Sequence, residues 1–371
     1  MSEIKGLETL RQEIDLIDRE IHALLNRRAR CAEQVAHSKL ADYRSQHGEA
    51  DLSKIMFYRP EREAQVLQAV IDRNEGPLAG ETVARIFREI MSACLALEKP
   101  MEVAYFGPAG TFTQAATIKH FGQSVISQPQ ESIASVFTQV ESGQCHYGVV
   151  PVENSTEGMV SYTLDNFMDS PLKICGEVEL RIQLHLLVSE QASAQSVTSI
   201  CAHQQALAQA RNWLDNNWPG VERIAVSSNA EAAKMALADP SIAAVAGDIA
   251  AEQYSLQKLA ENIEDLANNT TRFLIIGREN IPASGSDKTS IIVEANNKPG
   301  ALFQLLEPFH SAGVSLTRID TRPSRTDTWA YVFFIECEGH QQQELLAGVL
   351  HELEESSRML KVLGSYPKAV L

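Results

Sequence analysis

Residues 147–158 read YGVVPVENSTEG. The strand-forming side chains Tyr147, Val149, Val150 and Val152 run into Glu153, Asn154, Ser155 and Thr156, and a glycine follows at 158. An apolar strand that stops in a burst of hydrogen-bonding side chains is how open α/β sheets present ligand sites, at the carboxyl ends of strands. A second segment has the mirrored order: Asn269, Thr270, Thr271, Arg272 and Phe273 lead straight into the apolar run 274–276.

The bulk properties frame these segments. At 371 residues the chain exceeds one ordinary core, so two or three domains are expected. Its net charge of −16, from 32 basic and 48 acidic residues, argues against nucleic-acid or anionic-membrane partners. Anionic ligands would then require Arg and Lys to be concentrated locally. The opening MSEIKGLETLRQEID is charged and lacks an apolar core, so it does not read as a secretion signal. No stretch approaches the roughly 20 apolar residues of a membrane-spanning helix. Cys31, Cys94, Cys145, Cys175, Cys201 and Cys337 are scattered without CxxC pairs. That spacing reads as buried thiols in a reducing cytoplasm, not as disulfides or a metal site.

Three segments follow along the chain. Residues 1–98 are helical by pattern, with Leu7, Leu10, Ile14, Ile17, Ile21, Leu24 and Leu25 at helical spacing and Val66, Leu67, Val70 and Ile71 repeating it later. The polar stretch 42–51 is expected to break the first helix, and Gly76-Pro77 separates the second from a third near Glu81. A first helix of about 35 residues spans about 50 Å, too long for a small monomeric bundle, so it should pack along a second copy. From residue 102 strands and helices alternate: 103–106, a GPAGT turn at 107–111, a helix from Thr113, then strands at 147–152, 182–188, 197–201, 222–226, 242–246 and 268–276. This predicts an α/β domain over 102–280 with two lobes and a cleft. After the linker IPASGSD (281–287), strand 289–293, helix 300–311, strands 314–320 and 329–336, helix 341–355 and strand 359–365 give βαββαβ order. That is a ferredoxin-like α+β domain over 287–371.

Within the first helix, Arg28 and Lys39 are 11 residues apart and return to within ~20° of one face, ~16 Å apart, so both could lean toward one anion. Arg11 lies ~100° away and ~25 Å off, too far to serve the same site in one chain, but able to serve a partner's. The segment resembles the all-helical chorismate mutases, entwined dimers in which one protomer's Arg completes the other's site. The resemblance assigns substrate binding to Arg11, Arg28, Lys39, Arg62, Glu63, Cys94 and Glu98. It makes Lys39 and Glu98 the candidates for stabilising the breaking ether oxygen. The stretch between Lys39 and Arg62 is longer than in compact members, Arg59 stands where an acidic residue often sits, and position 94 is Cys where a hydroxyl is usual. A Glu at 98 donates to the ether only when protonated, which requires burial to raise its pKa.

The 107–111 turn, the ENST segment and the TRF segment together resemble prephenate dehydratases. By that resemblance Glu153, Asn154, Ser155, Thr156, Thr271, Arg272 and Phe273 line the second site, with Thr271 beside the departing hydroxyl. Arg272 or nearby backbone amides anchor the carboxylate, and Glu153 is one proton source for a Thr that is itself a poor acid. His185, inside RIQLHLLV (181–188), reads either as a satisfied core histidine or as a site residue. The C-terminal segment resembles the ACT regulatory domain of the same enzymes. Asn297, Gly300, Ala301 and Leu302 match one effector motif, and Asp320, Thr321, Arg322 and Pro323 match the second, as DTRP in place of ESRP.

The whole chain thus resembles the bifunctional chorismate mutase–prephenate dehydratases. This implies conversion of chorismate through prephenate to phenylpyruvate, no cofactor or metal, L-phenylalanine as effector, and a homodimer or larger homo-oligomer. The rival dehydrogenase would need a dinucleotide fold, and no GxGxxG follows any strand. The sequence does not distinguish prephenate from arogenate. A non-catalytic binding module would have little reason to keep both the cationic helix set and the Thr271 segment.

Overall fold

The computed structural model describes residues 6–47, 57–295, 298–324 and 331–371. The N-terminal part is three helices, α1 (Leu7–His47), α2 (Pro60–Asp72) and α3 (Gly80–Glu98). α1 runs 41 residues and continues through 42–47, where a break was expected. The only glycine of that polar stretch stands at 48, beyond the helix, and Ser45 bonds back to the Asp42 carbonyl at 2.7 Å. The rest of that expected break, 48–51, lies outside the described residues. Leu10, Ile14, Ile17, Ile21, Leu24 and Leu25 on α1 are all exposed. α2 and α3 share a small core of Leu67, Val70 and Ala84, against which Val370 and Leu371 also pack.

The first lobe of the α/β part contains β1 (Glu102–Phe106), α4 (Phe112–Phe121), β2 (Ile126–Gln130), α5 (Ile133–Glu141), β3 (Tyr147–Asn154), β4 (Gly158–Met159), α6 (Ser161–Asp169) and β5 (Lys173–Arg181). The chain then crosses to a second lobe of β6 (His185–Val188), β7 (Ser199–His203), α7 (Gln204–Gln209), α8 (Arg211–Asn217), β8 (Glu222–Val226), α9 (Asn229–Ala238), β9 (Ile242–Ala246), α10 (Asp248–Gln253) and β10 (Gln257–Ala260). It returns as β11 (Thr270–Gly277). The first sheet has the order β2-β1-β3-β11-β5, with β4 beside β3, and the second β10-β6-β9-β7-β8. The strand expected over 182–188 is in fact split: 182–184 is the crossing between lobes, and only β6 belongs to the second sheet.

β11 inserts antiparallel between β3 and β5, pairing Thr271 with Asn154 and Arg272 with Glu153. The two segments that opened the sequence reading therefore end side by side at one edge of the cleft. β3 is buried along nearly its whole length, which is why it reads as a continuous apolar run.

The C-terminal part is β12 (Asp287–Glu294), α11 (Ala301–Ser311), β13 (Leu316–Pro323), β14 (Tyr331–Glu338), α12 (Glu344–Ser356) and β15 (Met359–Pro367). The sheet order β13-β14-β12-β15 is that of a ferredoxin-like fold. One face of this sheet packs on its own helices through Ile291, Phe309, Val349 and Leu353. The other face shares a core with the first lobe, where Ile292, Phe334, Leu363 and Tyr366 meet Phe137, Phe167 and Ile174. Contact is closest at Gly364 (φ 153°), where a Cβ would stand 2.4 Å from the Ile174 carbonyl oxygen. Backbone on both sides leaves nothing free to give way. Gly364→Ala should therefore lower the thermal unfolding midpoint, corresponding to about 1–3 kcal/mol. Gly348→Ala, on an open face of α12, should raise it by up to about 1 kcal/mol. Calorimetric scans of the two variants check the pair, and equal midpoints would refute the close approach.

Candidate functional site

At the cleft edge, Asn154 is buried and its side chain is fully committed. Its Oδ1 accepts from the Thr156 and Glu157 backbone N–H groups (3.0 and 3.2 Å) and from Thr156 Oγ1 (2.5 Å). Its Nδ2 donates to Thr271 Oγ1 (2.8 Å) and Asn269 Oδ1 (3.1 Å). Ser155 continues the ladder, its N–H bonding to the Thr270 carbonyl and its Oγ accepting from the Thr270 N–H. Gln209 reaches across from the second lobe to Thr156 Oγ1 at 3.4 Å. Tyr254, also from that lobe, donates to the Ala109 carbonyl in the 107–111 turn. The turn itself needs glycine at 110, where φ is +89°.

Arg272 is turned the other way. It is 7% exposed and makes a forked pair with Glu336 of β14 (2.7 and 2.9 Å) and a further bond to Glu177 of β5 (3.0 Å). Burial alone would lower its pKa, but the hydrogen bonds and charge of Glu336 outweigh that and hold the guanidinium charged. It is thus not free to anchor a substrate carboxylate, a correction that follows from strand alternation: neighbours on β11 face opposite sides. Phe273 is likewise a core residue, packed with Phe121 and Val178. Glu153 is ion-paired with Arg318 of β13, which takes its carboxylate toward the C-terminal sheet. His185 is a buried core histidine with one ring nitrogen hydrogen-bonded. Its Nδ1 accepts from the Asn262 N–H (3.1 Å) and its Nε2 faces Asp248 (3.2 Å).

In the helical part, Lys39 Nζ donates to the Phe57 carbonyl (3.0 Å) and stands 3.9 Å from the Glu98 carboxylate. Glu98 Oε2 is buried without a hydrogen-bond partner. Burial raises the Glu98 pKa, partly opposed by the charges of Lys39 and Arg28. Burial in turn lowers that of Lys39. Cys94 is buried one turn before Glu98. Arg11 is largely exposed and, among the described residues, is paired with its neighbour Glu8 at 4.0 Å.

The pair read at the start of α2 divides differently. Arg62 is exposed, and Glu63 turns onto Arg88 of α3 (3.4 Å). Glu61 is the carboxylate on the Lys39 side, buried, paired with Arg59 and near enough for its charge to act on Lys39. Residues two apart on a helix point ~200° apart, so the expected Glu63 and the observed Glu61 face opposite sides.

In the C-terminal part, Asn297 lies outside the described residues. Gly300 adopts φ +80° at the start of α11, with Ala301 half-buried and Leu302 exposed behind it. The second motif splits by strand alternation. Arg318, Asp320 and Arg322 face the first lobe, and Thr321 and Pro323 are exposed. Arg322 makes a forked pair with Asp165 of α6 (2.8 Å on both arms), so it is committed within the chain. Of the site residues missed from sequence, Asn269, Arg59, Glu61 and Arg318 sit within a few positions of those named, whereas Gln209 lies on α7, far along the chain from any of them. For Arg318 the two-residue period with 320 and 322 was a usable signal.

Glu63 supplies a stability prediction. Burial, opposed by Arg88, pushes its pKa up to about 7 from 4.5. A carboxyl with a raised native pKa binds its proton more tightly folded than unfolded, so stability falls as pH rises between those values. The loss should be roughly 3 kcal/mol. Thermal midpoints should decline from about pH 4.5 to 7 and decline less in Glu63→Gln; parallel curves would remove this assignment.

Comparison with known proteins divides the chain in the same order as its folds. Residues 10–99 match chorismate mutase type II, residues 103–281 match prephenate dehydratase and residues 289–355 match the ACT domain. The bifunctional chorismate mutase/prephenate dehydratases of Stutzerimonas stutzeri and Pseudomonas aeruginosa are 56% and 55% identical to it, each over the full length of both chains. Among solved structures, a prephenate dehydratase from Arthrobacter aurescens in complex with L-Phe is 33% identical, with a TM-score of 0.67, covering 72% of this chain and 90% of that one.

Proposed function

The chain belongs to the bifunctional chorismate mutase/prephenate dehydratase family, and we propose that its two sites act in sequence, on chorismate and then on prephenate. The observation that carries this reading is the pairing, in one chain of that family, of a half-buried Lys39–Glu98 couple with a Thr271 hydroxyl held at the cleft edge.

The first reaction is a unimolecular rearrangement. The site must hold a dianion in a compact shape and stabilise charge on the breaking ether oxygen. Arg28 and Lys39 supply cations on one face of α1, with Arg59 beside Glu61 at its edge. Protonated Glu98 donates to the ether beside Lys39, whose ammonium stands 3.9 Å from its carboxyl. Arg11 serves the partner's site in a homodimer, an arrangement supported by the exposed apolar face of α1.

In the second reaction prephenate loses its ring carboxylate as CO₂ and its 4-hydroxyl as water. Thr271 stands beside the departing hydroxyl, and the backbone N–H groups of Ala109 and Thr111 meet a substrate carboxylate, those of Gly107 and Gly110 being bonded to Gln130 and Gln114. Neither step calls for a cofactor. L-Phenylalanine acts as effector at the C-terminal domain, as supported by the related dehydratase solved with L-Phe. It does so by binding one conformational state better than the other. Among the described residues no helix is long and apolar enough to cross a membrane, and the free cysteines suit a cytoplasmic enzyme.

Purified protein given chorismate alone should produce prephenate and then phenylpyruvate without added nucleotide. Prephenate accumulating with no phenylpyruvate would retain the mutase and remove the dehydratase. Mutase turnover should fall as pH rises through the raised Glu98 pKa, and Glu98→Gln should flatten that profile; an unchanged profile would remove Glu98 as donor. Thr271→Val should cost dehydratase turnover about 100-fold. Its mutase turnover should be unchanged.

A further inference from the structure

Building on the dehydratase reading above, we infer that Gln209, Thr156 and Asn154 form a one-directional hydrogen-bond relay that turns the Thr271 hydroxyl hydrogen toward the departing hydroxyl of prephenate. The direction follows from the donors. Two backbone N–H groups, of Thr156 and Glu157, can only donate, so the Asn154 atom they meet is its oxygen. The amide nitrogen therefore faces Thr271 and Asn269, and its two hydrogens are used on their two oxygens. Asn154 has no donor left for a substrate. It is a positioning residue, 8% exposed, not a substrate contact.

Each link has the same polarity. Gln209 Nε2 donates to Thr156 Oγ1, Thr156 Oγ1 donates to Asn154 Oδ1, and Asn154 Nδ2 donates to Thr271 Oγ1. Since Thr271 Oγ1 accepts, its own hydrogen is left to donate, and no acceptor among the described residues takes it. Aligned hydrogen bonds polarise one another, so the chain strengthens the last donor. Its first member belongs to the second lobe, so the relay is complete only when the lobes stand close enough for the Gln209 contact. Asn269, 1% exposed just ahead of β11, accepts the second Asn154 hydrogen and so fixes the amide plane.

In the reaction the bond from the ring to its carboxylate breaks, releasing CO₂, and its electron pair enters the ring. The C4–O bond breaks, and the departing hydroxide takes one proton from solvent and leaves as water. Thr271 gives a hydrogen bond to that oxygen and keeps its proton.

Asn154→Asp tests the relay. One carboxylate oxygen keeps the two backbone bonds, while the other becomes an acceptor and draws the Thr271 hydrogen inward. Dehydratase kcat should fall about 100-fold near pH 8 with KM within about threefold, because the loss is confined to the transition state. Protonating the new carboxyl restores a donor to Thr271, so kcat should recover about tenfold or more as pH falls toward 5.5, a trend absent from wild type. Mutase turnover of the same variant reports that the chain is folded. A kcat near that of wild type, or a loss with no pH recovery, would overturn the relay. Wild-type protein that forms no phenylpyruvate would instead sink the dehydratase reading, and the relay with it.

Discussion

Arg272 is the charge around which the α/β domain and the C-terminal domain of this chain are arranged. It lies where β11 of the α/β domain meets the face of the C-terminal sheet, 7% exposed, with Glu177 on one side and Glu336 on the other. Lys288 joins the same Glu177 at 2.8 Å, and Arg318 ties Glu153 at the rim. Removing one member of such a buried set leaves an uncompensated charge, at a cost of about 3–5 kcal/mol. The apolar contacts around it, Phe334 and Tyr366 against Phe167 and Ile174, supply area but not register. The forked pair fixes how the two sheets face one another, because a planar guanidinium accepts a carboxylate in few geometries.

That arrangement puts the proposed catalytic hydroxyl and the contact with the C-terminal sheet on one strand. Thr271 and Arg272 are adjacent on β11 and point to opposite sides. One reaches Asn154 at the cleft, and the other is clamped by the C-terminal sheet. Glu153 and Asn154 repeat the division on β3, with Glu153 bound to Arg318 and Asn154 to Thr271. A shift of the C-terminal sheet therefore acts on the strands that carry the proposed dehydratase site with no intervening linker. The sheet is held further by Arg322 on Asp165 and by Lys361, whose ammonium meets the carbonyls of Phe167, Met168 and Ser170 at the end of α6.

Much of this was legible in the sequence where a single period governed the outcome. Strands 222–226 and 242–246 fall where apolar β-propensity put them, and the βαββαβ order of the C-terminal part follows from alternating periods. That Lys39 and Glu98 meet was readable from the resemblance alone, since helix geometry related only Arg28 to Lys39. What could not be read was phase between elements. The rotation of α2 about its axis decides whether Glu61 or Glu63 faces Lys39, and no local pattern encodes it. Arg272 and Phe273 were misassigned for a different reason. A motif read as a unit ignores that its alternate residues face away, and here one face was already claimed by another domain. The same oversight joined Arg322 to Thr321 and Pro323, although the two-residue period on β13 separates them.

The small core of α2 and α3 contains side chains from the far end of the chain. Leu67, Val70 and Ala84 are covered in part by Val370 and Leu371, which follow the last strand of the C-terminal sheet. Domains generally fold in the order in which they leave the ribosome. Here the helical part emerges first, yet the residues that cover its core are synthesised hundreds of codons later. Until they arrive, that apolar seam must stay open or be sheltered by other means, so the helical domain, though made before the two that follow it, is finished only with them.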